Sequence, residues 1–247
     1  MIESTSALWA HGRLAPYSAT RFNVQEADAG TGVRVEVFAD GIAVWSRPGA
    51  QFVRSETEAR DFLALIVAAY TVRTALALDF TFTGWIEATE ADFTGSIVGF
   101  TVPRGHTPHM DASSKRSRDM AVAIEVAAAA FAGGSWRLAL RDIHAAYLGL
   151  GNDDAFVAAY RAIEDLARAV SPIRKKDWAR LHSHLGTTEA RMKARTGLLF
   201  DARNAVAHGD TQDPQLVAAR AKRSQVIGVA RAIVREAFKR EPTLPAI

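Results

Sequence analysis
Apolar and polar positions alternate in short stretches near the start of the chain and then switch to helical spacing for most of its length. Val33 to Val37 reads Val-Arg-Val-Glu-Val, and the apolar run resumes at Ile42 to Trp45. Between them stands Asp40-Gly41, a pair suited to the positive φ values of a tight hairpin turn. Ala29 to Gly32 predicts a turn before this hairpin, and Pro48-Gly49 ends it. The first 30 residues carry no strong periodicity. From Thr57 to Leu78, Phe62, Leu65, Ile66, Ala69 and Tyr70 keep the spacing of a helix. Thr57 is placed to cap it, with Glu58 and Asp61 near its first turn. Phe80 to Ile86 and Ser96 to Val102 then read as strands.

Pro103 to Ser114, PRGHTPHMDASS, is turn-rich and marks a boundary between residues 1–110 and 111–247. Downstream almost every segment is helical. Met120 to Ala132 is nearly all apolar and stops at Gly133-Gly134. Ser135 caps a helix over Trp136–Leu148, and Asp153–Val170 is the next. Ser171-Pro172 reads as a cap with proline at the first helical position, opening a helix that runs to Leu185. Asp213-Pro214 opens the last helix, which continues to about Arg240 with Val226, Ala230, Ile233 and Ala237 on one face. The fold class expected is α+β: a small N-terminal α+β domain of unassigned role, followed by an all-α helical bundle.

Composition narrows the class. Hydrophobic content is 49% and charged content 23%, ordinary for a globular protein and unlike a disordered one. There is no cysteine, which removes disulfides, thiolate metal sites and cysteine nucleophiles. Phe62 to Val72, the longest mainly apolar run, is too short to span a bilayer. The first 13 residues hold an acidic residue at position 3 and no apolar core of signal-peptide length. A soluble, cytoplasmic protein with no membrane partner is the expectation. Net charge is +3 but uneven: residues 1–110 hold 8 Lys/Arg against 12 Asp/Glu, and residues 111–247 hold 22 against 15. A polyanion would dock on the second part.

Two constellations are set aside. His106, His109 and Asp111 share one loop, but a proline blocks a regular helix there and no further ligand stands near, so the loop reads as a solvated linker and no metal is assigned. His182 and His184 lie two apart on the Trp178 helix and point to different sides, as surface or packing residues. No Gly-rich phosphate loop is present, and no cofactor is expected.

The stretch that carries chemistry is Thr196 to Asp210, TGLLFDARNAVAHGD. Leu199, Ala202 and Val206 form an apolar stripe, and Asp201, Asn204 and His208 a polar one beside it. Asn204 and His208 are four apart, close enough for the amide to orient the imidazole. Arg203 precedes His208 by five, roughly 140° round an ideal helix. One helix does not easily focus both on a small target, whereas two copies related by a twofold axis do. His followed by Gly is also simply how helices end: a cation suits the last turn and glycine the left-handed position after it. Glu164 or Asp165 is placed to pair with Arg203.

Arg203-Asn204-Ala205-Val206-Ala207-His208 resembles the Arg, polar residue, short gap, His pattern of the HEPN superfamily. The longer RNAVAHG is similar to its Apea-like branch, and Phe156 to Leu166, FVAAYRAIEDL, resembles the helix that precedes the motif there. The resemblance covers roughly residues 136 to 240. It implies a HEPN-like bundle over 111–247, a homodimer whose motif helices face each other, metal-independent cleavage of RNA, and a defence or toxin-like role. Arg203, His208 and Asn204 become the catalytic candidates. Arg174, Lys175 and Lys176, with Arg191, Lys193 and Arg195, become candidates for RNA phosphates, although charge runs of this kind are usually solvated faces. Neither RNA specificity nor an inhibitor or antitoxin partner is legible. Two alternatives stay open: a non-catalytic HEPN-like module binding RNA or a nucleotide, and a helical dimerisation or partner-binding domain.

Overall fold
The computed structural model describes residues 7–16, 25–28, 32–37, 41–46, 49–50, 52–88, 115–131, 134–245 and 247. The chain is α+β. Among the described residues the strands all precede residue 89, and the later part is helical. It divides into two compact units, Met1–Ala64 with Leu78–Ile124, and Leu65–Ala77 with Glu125–Ile247. Pro103–Ser114, with His106, His109 and Asp111, lies outside the described residues, as does the strand expected at Ser96–Val102.

The first unit holds a five-stranded antiparallel sheet in the order β2-β3-β4-β1-β5. The strands are β1 (Ala7–Pro16), β2 (Gln25–Asp28), β3 (Val33–Val37), β4 (Gly41–Ser46) and β5 (Leu78–Ala88). The β3–β4 pairing, Val37 opposite Ile42 and Val33 opposite Ser46, is the hairpin that Asp40-Gly41 announces. Alternation on β3 places Val33, Val35 and Val37 inside. The strand β1, which the sequence does not announce, runs between β4 and β5. Its inward residues include Ala10, Gly12 and Leu14, too small and mixed to produce an apolar beat. Glycine at position 12 leaves room for the Phe80 ring: a Cβ there would lie 2.0 Å from it, so the ring would have to shift.

Helix α1 (Glu56–Thr74) is the long apolar helix expected, ending at Thr74 where the expectation ran on to Leu78. Ala75 stands at φ 64°, a left-handed conformation that stops the helix before β5 begins. Its start departs from the sequence reading: Thr57 is the second residue of the helix and does not cap it, and the Ser55 hydroxyl instead accepts from the Glu58 N–H at 3.2 Å. Its middle follows the pattern, with Phe62 to Tyr70 buried apart from half-buried Ala64.

Helix α2 (Lys115–Phe131) passes from one unit to the other. The second unit adds α3 (Ser135–Leu148), α4 (Asp154–Ala169), α5 (Trp178–His184), α6 (Glu189–Ala207), α7 (Pro214–Ala221) and α8 (Arg223–Arg240). Ser135 is the first residue of α3 and makes no side-chain cap. Three further boundaries depart from the sequence reading, each for a local reason. Pro172 does not open α5. Arg174 takes φ 53°, and the cap is Asp177, whose carboxylate accepts from the Arg180 N–H at 2.9 Å. The motif helix begins at Glu189, capped by Thr188, so Arg191, Lys193 and Arg195 are its own first turns. The last helix is two, broken at Lys222. Asp153, at the start of α4, receives Arg220 at 2.5 Å and Arg223 at 2.7 Å from either side of that break.

The core of this unit is Leu140, Ile143, Phe156, Ile163, Leu166, Leu199, Ile227, Ile233 and Phe238 with many alanines, all essentially inaccessible. Alanine lets α3 and α4 approach closely, and α6 packs on α4, α7 and α8. The second half of α1 belongs here: Arg231 donates to the Val72 carbonyl at 2.9 Å, and Thr71 Oγ1 lies 2.8 Å from His144 Nδ1.

Candidate functional site
The C-terminal turn of α6 places the three motif residues. Met192, Thr196, Leu199, Ala202 and Ala205 are its buried line, which leaves Arg203 and Asn204 half-buried at the edge and His208 exposed. His208 is the C-cap, and Gly209 follows at φ 69°. The Gly209 N–H donates to Val206 O at 3.1 Å and the Asp210 N–H to Ala205 O at 2.9 Å. These two bonds make a Schellman ending, so the helix-ending role of His-Gly is present in full.

Arg203 is held by neutral partners. Its Nη1 donates to Asn204 Oδ1 at 2.9 Å, and its guanidinium carbon lies 5.7 Å from the centre of the Tyr160 ring on α4. A cation over an aromatic face is attracted without surrendering its charge. The Asn204 amide therefore orients Arg203 and not His208. The imidazole of His208 has no hydrogen-bond partner among the described residues. Nor does an acidic residue of α4 pair with Arg203. Glu164 binds Lys176 at 2.6 Å, and Asp165 pairs with Arg168.

Those α4 carboxylates have structural partners. Asp142 on α3 takes a bidentate clasp from Arg161, at 2.6 and 2.7 Å. Asp165 is buried beside it. Burial, reinforced by Asp142 against the pull of Arg168, pushes its carboxyl up to about 6. Burial and then the Glu164 carboxylate raise the Tyr160 hydroxyl above its ordinary range, with Arg203 opposing.

The six basic residues separate into two groups. Arg174, Lys175 and Lys176 stand exposed on the loop before α5, and Lys176 carries the pair to Glu164. On α6, Lys193 pairs with Glu189 at 2.7 Å and Arg195 with Glu236 at 2.9 Å. The side chains of Arg174, Lys175 and Arg191 have no partner among the described residues. His184, by contrast, is a packing residue: its Nε2 lies 2.9 Å from Ala237 O and its ring 5.9 Å from that of Trp136.

Sequence spacing misses the aromatic group beside Arg203. Tyr160 lies 5.5 Å from Phe200 of α6 and 6.4 Å from Trp178 of α5, centre to centre. Phe200 is three residues before Arg203, which is the signal that would have found it. Trp178, which reads as part of a core stripe with Leu181 and Leu185, is only half-buried and turns toward Tyr160.

Comparison of the chain with family models, curated proteins and solved structures returns no match.

Proposed function
We propose that the chain is a metal-independent endoribonuclease of HEPN type, acting through a composite Arg203/His208 site formed by two copies. The observation that carries this reading is the state of the two side chains. Arg203 is positioned by Asn204 and Tyr160 with no carboxylate neutralising it, and His208 is exposed and unbonded one turn further on.

Gly197 supports a second copy as the missing half. It interrupts α6 on the same line as Asn204 and His208, seven and eleven residues before them. Outside its own helix backbone, a Cβ at this position would meet nothing within 4 Å among the described residues. Glycine inside a helix costs roughly 1 kcal/mol relative to alanine, so its presence without an internal packing reason favours close approach from outside.

The chemistry follows from the groups. A ribose 2′-hydroxyl attacks the adjacent phosphorus while one His208 accepts its proton; the other His208 donates a proton to the departing 5′-oxygen. Arg203 holds the phosphate and stabilises the charge gathering on it, a task suited to a planar, permanently charged fork. Asn204 is a positioning residue acting through Arg203. Products carry 2′,3′-cyclic phosphate and 5′-hydroxyl ends.

The test is purified full-length chain with mixed RNA in EDTA. Cleavage should persist in the chelator and leave cyclic phosphate ends, and His208→Ala should lower it by roughly 10²–10⁴-fold. EDTA-sensitive cleavage, or wild-type rates from His208→Ala, would overturn the catalytic reading. The Schellman ending at His208 favours the second reading in that event, a non-catalytic RNA-binding module in which Arg203 is a ligand and His208 closes a helix.

A further inference from the structure
We propose that Tyr160, Trp178 and Phe200 form a stacking platform for the unpaired bases of single-stranded RNA, beside the phosphate position at Arg203. This deepens the ribonuclease reading and rests on it for the identity of the ligand as RNA. Three aromatic side chains from three different helices meet at one surface, with ring centres 5.5 and 6.4 Å apart and mutual tilts of 56° and 38°. None of the three is buried, and Phe200 is 42% exposed. Every base has an apolar π-face, so such a cluster holds unpaired bases with little regard to sequence, and paired bases cannot present that face.

The charge around the rings selects the occupant. Arg203 lies against Tyr160, and the loop leading into Trp178 supplies Arg174 and Lys175 without side-chain partners. Arg180 is exposed on the same short helix. Of the acids of this surface, Glu164 is neutralised by Lys176, whereas Asp177 caps α5 and keeps its charge. Asp177 and exposed Asp201 stand against Arg203, Arg174, Lys175 and Arg180, which leaves the rim positive. An apolar protein partner would have to bury those cations at a desolvation cost, whereas a phosphate backbone neutralises them as its bases stack. Aromatic rings with interleaved cations are the arrangement that tracks a single strand.

The experiment uses full-length protein carrying His208→Ala, so that RNA stays intact, and fluorescein-labelled 12-nucleotide probes at fixed salt. The probes are oligoadenylate, the same strand annealed to oligouridylate, and an abasic ribose-phosphate chain of equal length. Oligoadenylate should bind about tenfold or more tightly than either control. Phe200→Ala should remove most of that difference, and Phe200→Tyr should retain it, because a phenol ring still stacks. Equal binding of the base-bearing and abasic strands, or no loss on Phe200→Ala, overturns the platform. So does a Phe200→Ala chain that changes its sedimentation without RNA while binding oligoadenylate normally, because the face would then belong to a protein contact. Base-dependent binding by a chain whose wild type cleaves nothing leaves the platform standing and sinks the ribonuclease reading alone.

Discussion
One carboxylate and one guanidinium show how neighbours set the state of single residues in this unit. Asp165 carries a carboxyl raised from an ordinary 3.8 to about 6 by burial first and then by Asp142. Between those values the native chain holds a proton that the unfolded chain has released. Stability from this group is therefore lost as pH rises from about 4 to 6 and is level above that. Asp165→Asn should flatten this part of the curve and melt higher than wild type at neutral pH. Thermal melts of both proteins across the interval read the effect of the Asp165 carboxyl together with its contacts to Asp142 and Arg168; parallel curves would refute it. Arg203 is tuned differently, by an amide at 2.9 Å and a ring at 5.7 Å in place of an anion. Both partners leave its charge available. Arg203→Lys keeps the charge and loses the fork, so kcat should fall by at least about tenfold while RNA affinity changes less. A change confined to KM would instead assign Arg203 to binding alone.

At the scale of elements, α6 is where pattern and packing part company. Its apolar line, Leu199 and Ala202 with half-buried Val206, is legible from spacing, and so are the helix stop at Gly209 and the hairpin at Asp40-Gly41. Its start is not. Thr188 caps the helix only because Thr187 and Gly186 first turn the chain, Thr187 donating to His182 O at 2.9 Å. The strand β1 escapes notice for a related reason. Gly12 is buried against the Phe80 ring, and a glycine contributes no apolar beat. At the site, helix spacing brings the His208 N–H to the Asn204 backbone carbonyl at 3.0 Å. The amide nevertheless turns to Arg203, which Tyr160 on α4 holds in reach, and no local spacing encodes that third partner. Gly197 is the element's remaining anomaly and can be tested directly. With open space round its Cβ, Gly197→Ala should stabilise the isolated chain by about 0.5–1 kcal/mol, as alanine does inside a helix. If the Gly197 line is instead covered by a second copy, the same substitution should weaken self-association. Denaturant unfolding well below the association concentration, beside sedimentation above it, separates the two effects. No change in either would remove Gly197 from the argument for a dimer.

For the whole molecule, the geometry of α6 makes a statement about subunit number. Arg203 and His208 are five residues apart, Arg203 facing Tyr160 at the flank of the helix and His208 projecting from its end. Acid and base are needed on opposite sides of a phosphorus, and one chain presents a single His208. The proposed reaction thus requires a homodimer in which both imidazoles act at one site, and sedimentation at tens of micromolar, an order of magnitude at which weak pairs persist, should show it. Subunit mixing then distinguishes a shared site from two independent ones. When wild-type and His208→Ala chains are mixed in equal amounts and allowed to exchange, random pairing leaves about a quarter of the dimers with two wild-type chains. A site needing both imidazoles keeps about a quarter of the wild-type activity, and the activity follows the square of the wild-type fraction. Sites complete within one chain keep about half, and the loss is linear. Linear dependence from a verified exchange would place acid and base within one protomer and end the composite-site reading, even if cleavage itself proved real.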